Sequence, residues 1–150
     1  MKLKTTEKYG PEADAALSLW VKLARAYLSF AKKSHDSIRS FGLTEPQFAV
    51  LETLGHLGPM TIGILCKKQL VSGGNMTLVV DNLEKEGLVH RTHSKNDRRA
   101  IIVELTEKGQ KLFLETFPKH AEHIVQAASV LSPEEQETLS ALLKKLGTNL

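Results

Sequence analysis

Little in this chain of 150 residues invites covalent or redox chemistry. It has a single cysteine, Cys66, so no intrachain disulfide can form, and the expected compartment is the reducing cytoplasm. The first eight residues carry no apolar core of the signal-peptide kind. No hydrophobic run approaches the roughly 20 residues of a membrane span, so no membrane partner is expected. Internal repeats and low-complexity segments are missing too. There is no nucleophile–base motif, no phosphate-binding glycine loop and no paired-carboxylate site, which argues against an enzyme, and nothing asks for a cofactor. The formal charge of +3 is small. Its placement matters more: between Lys85 and Arg99 five basic residues face two acidic ones, an excess equal to that of the whole chain.

What is there is mostly helix. Residues 1–11 form a polar lead-in ending in Gly10-Pro11. From about Glu12 to Arg39, Leu17, Trp20/Val21, Ala24, Tyr27/Leu28, Ala31, His35 and Ile38 recur at the three-and-four spacing of a long amphipathic helix. Thr44 with Gln47 three residues on is a capping box; the helix it opens carries Phe48, Leu51 and Leu54 inward and ends at Gly58-Pro59. Met60-Thr61 fits a short strand, and Thr61 caps a brief helix through Gln69. Leu70-Val71-Ser72 is a turn, and Ser72 caps a central helix with Met76, Val79, Val80 and Leu83 on its core face. Gly87 ends that helix. Residues 88–93 and 100–105 are strands of a hairpin, with Ile101, Val103 and Leu105 pointing inward. Thr106 opens a long helix that Pro118 should kink. Ser132-Pro133-Glu134-Glu135 restarts the chain as a last helix, with Leu139, Leu142, Leu143 and Leu146 directed inward.

This order predicts a mainly α fold with a small β-hairpin wing: a winged helix-turn-helix between long terminal helices. The expected organisation is one domain, 1–150, in which a lobe at 44–109 is flanked by dimerisation helices at 12–39 and 110–150. The wide apolar faces of the terminal helices are what an interwoven dimer needs.

The central helix and the hairpin suggest a reader of double-stranded DNA. A major groove admits one helix, whose N-terminal side chains meet base edges. Here Gly73 and Gly74, after the capping Ser72, leave backbone N–H groups open to a phosphate. Asn75 and Thr77 can pair with base edges, and Leu78 offers an apolar contact to a thymine methyl. Asp81 is awkward beside DNA; pairing with Lys85 one turn later or accepting from a cytosine amine would accommodate it. At the hairpin tip, Lys95, Arg98 and Arg99 suit phosphates and a narrow minor groove.

Leu83-Glu84-Lys85-Glu86-Gly87-Leu88, followed by Asp97-Arg98-Arg99-Ala100-Ile101-Ile102-Val103-Glu104-Leu105-Thr106-Glu107-Lys108-Gly109, resembles the MarR family of transcriptional regulators from Thr44 to Gly109. The second string is similar to that family's wing signature. The resemblance implies a homodimer on a pseudo-palindromic operator, each central helix in a major groove and each wing in an adjacent minor groove. It implies that Arg99 is the wing arginine with Asp97 orienting it, and that Asn75 and Thr77 sit at base-contact positions. It also implies a repressor released by a ligand or stress. The wording from Leu70 to Thr77 is similar to the branch that answers quinones and phenolics. The reading from another class is a winged-helix module for protein–protein contact, with no operator.

Three release signals are open. Cys66 as a thiol switch is opposed by its place on an apolar face with Ile62 and Leu65. A metal at His120, His123 and Glu122 lacks further ligands, while His90 and His93 point to opposite faces of a strand, so no metal site is assigned. The third is an aromatic or phenolic inducer held between the first helix and the DNA-binding lobe, with Trp20, Tyr27, Phe30, His35 and His56 as candidate lining.

Overall fold

The computed structural model describes residues 9–69 and 73–149. The first helix, α1, spans Pro11–Ser40. Gly10 is its N-cap at φ 95°, and Pro11 occupies the first turn, where its fixed φ suits a helix and its missing N–H costs nothing. The Gly10-Pro11 pair, expected to close the lead-in, therefore opens the helix. Helix α2 (Glu45–Leu57) starts on the expected capping box. The Thr44 N–H donates to Gln47 Oε1 at 3.0 Å, and the Gln47 N–H donates to Thr44 Oγ1 at 3.4 Å. Strand β1 (Met60–Thr61) leads into α3 (Ile62–Gln69), where Thr61 Oγ1 accepts from the Ile64 N–H at 3.3 Å. The expected turn at Leu70–Ser72, and with it the Ser72 cap, lies outside the described residues.

Helix α4 (Gly73–Lys85) buries Met76, Val80 and Leu83, with Val79 half-buried against the same core. The chain then reverses at Gly87, whose φ of 72° only glycine adopts cheaply. Hydrogen bonds from Gly87 to the Glu84 carbonyl and from Leu88 to the Leu83 carbonyl close the helix end. Strands β2 (Val89–His93) and β3 (Ile101–Leu105) form the hairpin, and β1 adds to the far side of β3, giving the antiparallel order β1-β3-β2. Val103 pairs with Met60 on one side and Arg91 on the other and is fully buried. Ile101, expected inward with it, is 39% exposed. It pairs with His93 at the outer end of the hairpin, past the reach of the helices that cover Val103.

Thr106 caps α5 (Glu107–Ala128) and also anchors it. Its hydroxyl accepts from the Gly109 N–H at 3.0 Å and donates to the Gly87 carbonyl at 2.6 Å. A Cβ at Gly109 would collide with the Leu88 carbonyl oxygen, so close approach of helix and strand requires glycine there. Helix α5 runs unbroken through Pro118. The last helix, α6 (Pro133–Thr148), begins on the expected capping box of Ser132 and Glu135.

The core lies among α2, α3, α4 and the sheet: Phe48, Leu51, Leu54, Leu65, Met76, Val80, Leu83, Val89 and Val103 are all buried. The terminal helices differ. Leu139, Leu142 and Leu143, expected to face inward, are exposed, and α6 buries no side chain. Helix α1 buries only Ser37 and Ile38, while Trp20, Tyr27 and Leu28 stand about two-thirds exposed. The periodicity marks an apolar face correctly, but no described residue covers the Trp20, Tyr27 and Leu28 part of α1 or the leucines of α6.

Candidate nucleic-acid interface

The side of α4 opposite its core face begins with Gly73, Gly74, Asn75, Thr77 and Leu78, all exposed. Burial of Met76 and Val80 fixes the rotation of the helix, and the 3.6-residue period then places its neighbours outward. A Cβ on Gly73 or Gly74 would meet nothing within 4 Å, so no contact among the described residues demands glycine at either position. The Thr77 hydroxyl donates to the Gly73 carbonyl at 2.9 Å. With its proton committed, Thr77 offers a groove an oxygen lone pair and a methyl group. Leu78 is 61% exposed, an apolar side chain on a helix surface that is otherwise polar.

The hairpin tip is built around Ser94 and Asp97. Ser94 Oγ accepts from the N–H groups of Asn96 and Asp97, and Asp97 Oδ1 accepts from the Arg99 N–H at 2.9 Å. The Ser94 N–H donates to the Ala100 carbonyl at 2.9 Å. These bonds shape the turn and leave Lys95, Arg98 and Arg99 exposed. Asp97 thus holds the Arg99 backbone, the contact through which it can orient that side chain.

Between helix and hairpin sits a group that sequence reasoning placed differently. Arg91, on β2, bridges Asp81 and Glu84 of α4: Nη2 lies 2.5 Å from Asp81 Oδ1, and Nη1 pairs with Glu84 Oε2. Burial pulls the Arg91 pKa down, but hydrogen bonds and attraction from Asp81 and Glu84 outweigh it, and the net shift is upward. Asp81 therefore pairs with Arg91 rather than with Lys85. One of the five cations counted toward the basic stretch is spent inside the molecule. The signal was present as two carboxylates three residues apart on one helix face, with an arginine on the strand that follows.

The model of the MarR family matches residues 43–101. The regulator MhqR of Bacillus subtilis is 40% identical over 136 residues, covering 91% of this chain and 94% of MhqR. This chain belongs to the MarR family. The transcriptional repressor MdtR of B. subtilis is 30% identical over 135 residues, 89% of this chain and 87% of its own. Among solved structures, BpsR of Bordetella bronchiseptica superposes with a TM-score of 0.77 at 29% identity, covering 87% of this chain and 98% of that one; its DNA binding is regulated by 6-hydroxynicotinic acid. The MarR-family chain is thus a winged-helix transcriptional regulator, not an enzyme. None of its described helices is long and apolar enough to cross a membrane.

Two clefts flank the C-terminal end of α1. The larger, about 710 Å³, runs from His35, Ile38 and Arg39 past Leu43 and Pro46 to Asn75 and Leu78 on α4. The smaller, about 330 Å³, lies beside α1 itself and is lined by Tyr27, Lys32, His35 and Arg39 among others. His35 lines both, and its Nε2 sits 2.8 Å from Glu45 Oε1. Of the five residues expected to line one pocket, Tyr27 and His35 reach these clefts, whereas Trp20, Phe30 and His56 line neither. Trp20 precedes His35 by about 22 Å of helix axis. His56 packs edge-on against Phe113 and Phe117 of α5, with ring centroids at 5.0 and 4.4 Å. The five do not converge within the chain.

The remaining candidates are integrated into packing. His120 packs tilted against Phe48, with ring centroids 4.7 Å apart, and its Nδ1 lies 3.1 Å from Ser37 Oγ, joining α5 to α1 and α2. Burial lowers its pKa; Glu52 opposes that shift and His123 adds to it. Cys66 packs half-buried against the core.

Proposed function

We propose that this regulator acts as a homodimer on a pseudo-palindromic operator, and that a small aromatic, phenolic or quinone-like ligand releases it. The observation that carries the DNA reading is the outward face of α4, where Asn75, Thr77 and Leu78 are exposed while Met76 and Val80 lock the helix from behind. Laid in a major groove, this face presents an amide for base edges, a methyl and lone pair from Thr77, and Leu78 for a thymine methyl. The open backbone at Gly73 and Gly74 admits a phosphate at the helix start. Lys95, Arg98 and Arg99 then reach the adjacent minor groove from the wing tip. The exposed apolar faces of α1 and α6 support the dimer, because exposed patches of this kind mark association surfaces.

Release is supported by the larger cleft, since its lining includes Asn75 and Leu78 as well as His35 and Arg39. Its volume suits a small aromatic molecule, and such an occupant touches the same α4 side chains that are to meet DNA. It must bind better to the DNA-free arrangement than to the bound one; a coupling of about 1–3 kcal/mol shifts affinity by roughly 5–150-fold. BpsR, similar in fold and sequence, answers a hydroxylated aromatic acid, which favours this ligand class.

The test is a fluorescence titration of the protein–operator complex with phenolics, quinones and, as control, metal salts. Phenolic or quinone release that is lost in Arg39→Ala and His35→Ala supports the reading. Release by metals or oxidants alone would reject the cleft. Protein–protein partners without sequence-selective DNA binding would favour the winged-helix interaction module instead.

A further inference from the structure

Arg91 is the one described guanidinium with two carboxylate partners, and both lie on α4 while Arg91 lies on the wing strand β2. The side chain is only 20% exposed. Its partners stand at positions 81 and 84, one turn apart on the helix, so a planar guanidinium can hold each with a separate edge. Lysine, a single point charge, cannot reproduce that grip. On the strand, Arg91 pairs across from Val103 at the centre of the hairpin, opposite a fully buried residue. The clamp therefore joins a rigid strand to a rigid helix at the base of the wing. The tip carrying Lys95, Arg98 and Arg99 projects beyond it. A small rotation of the hairpin about its base is amplified at the tip, since each residue of strand adds about 3.3 Å of lever.

We propose that Arg91 is a positioning residue of the DNA interface, which sets the angle between α4 and the wing by clamping Asp81 and Glu84. The proposal rests on the reading that α4 and the wing bind DNA together. It assigns Arg91 no contact with DNA: its cation is turned inward and compensates two carboxylates that would otherwise stand near phosphate. Wing contacts then contribute fully only when the clamp is closed.

A double-mutant cycle on operator DNA separates positioning from simple loss of charge or of folding. Affinity is measured for wild type, Arg91→Ala, Arg99→Ala and the pair, with thermal unfolding followed in parallel. Arg99→Ala should weaken wild-type binding by roughly tenfold, and Arg91→Ala by a similar factor. In the Arg91→Ala background, Arg99→Ala should cost less than about twofold, because the wing is already misplaced. Asp81→Asn with Glu84→Gln opens the same clamp while Arg91 stays, and should show the same loss of sensitivity to Arg99→Ala. That second variant decides the matter if Arg91→Ala does not fold. Independent, multiplying losses would overturn the proposal, as would wild-type affinity in Arg91→Ala. Arg91→Lys should behave as Arg91→Ala; full rescue by lysine would show that charge alone matters and would also overturn it. If wild-type protein shows no salt-dependent DNA binding at all, the DNA reading itself fails, and the clamp's role falls with it.

Discussion

Asn75 and His120 are two polar side chains with opposite assignments, one for a partner and one for the fold. Asn75 stands in the first turn of α4, on its exposed face, where an amide can pair with adenine through two atoms at once. Asn75→Ala should relax base preference at one operator position by about 1–3 kcal/mol while barely changing affinity for random DNA. A selection on randomised operators checks this; an unchanged consensus would reject the contact. His120 instead joins three helices through Phe48 and Ser37. Its pKa is lowered in the folded chain, by burial first and by His123 second, with Glu52 opposing. A depressed value means the unfolded chain binds the proton more readily. The stabilisation from keeping His120 neutral is therefore complete above the unfolded pKa of about 6.5 and declines as pH falls below it. Thermal melts from pH 8 to pH 5 should show a steeper loss for wild type than for His120→Asn.

The elements show how much was legible. The starts of α2, α5 and α6 follow from Thr44, Thr106 and Ser132, because a capping motif is complete within four residues. The end of α4 follows from Gly87 in the same way. The Asp81 partner was missed although Asp81, Glu84 and Arg91 all stood in the sequence, because the helix rule measures only three or four residues along one helix. Arg91 arrives ten residues later, through the reversal at Gly87. Ile101 fits the strand alternation, but alternation does not say where covering helices stop. The function of Gly109 in packing is likewise visible only in three dimensions: it lets α5 pass against the Leu88 carbonyl. Gly109→Ala should lower stability by a few kcal/mol, since backbone cannot yield as a side chain can. Urea denaturation checks it. Gly74→Ala, where a Cβ meets open space, should leave stability within about 1 kcal/mol of wild type or raise it.

At the scale of the whole molecule, the winged-helix lobe has its core inside the chain, and the terminal helices do not. Leu142 is 59% and Leu143 41% exposed on α6, and Trp20 is 66% exposed on α1. The heptad-like spacing identified these faces, but a pattern cannot state which chain covers them. A second copy as the cover predicts that Leu142→Asp with Leu143→Asp yields a monomer in sedimentation and lowers operator affinity, while the lobe at 44–109 keeps its fold by circular dichroism. In the proposed dimer the two α4 helices would stand one DNA turn apart, roughly 34 Å, and operator recognition would depend on the assembly as well as on each interface. The central claim, that the outward face of α4 and the basic wing tip read a specific duplex, is tested most directly by affinity for the chain's own upstream DNA against a scrambled duplex at two salt concentrations. The account predicts at least about 1,000-fold preference for the upstream DNA, with affinity falling steeply as salt rises. Equal affinity for both duplexes, or binding indifferent to salt, would contradict it.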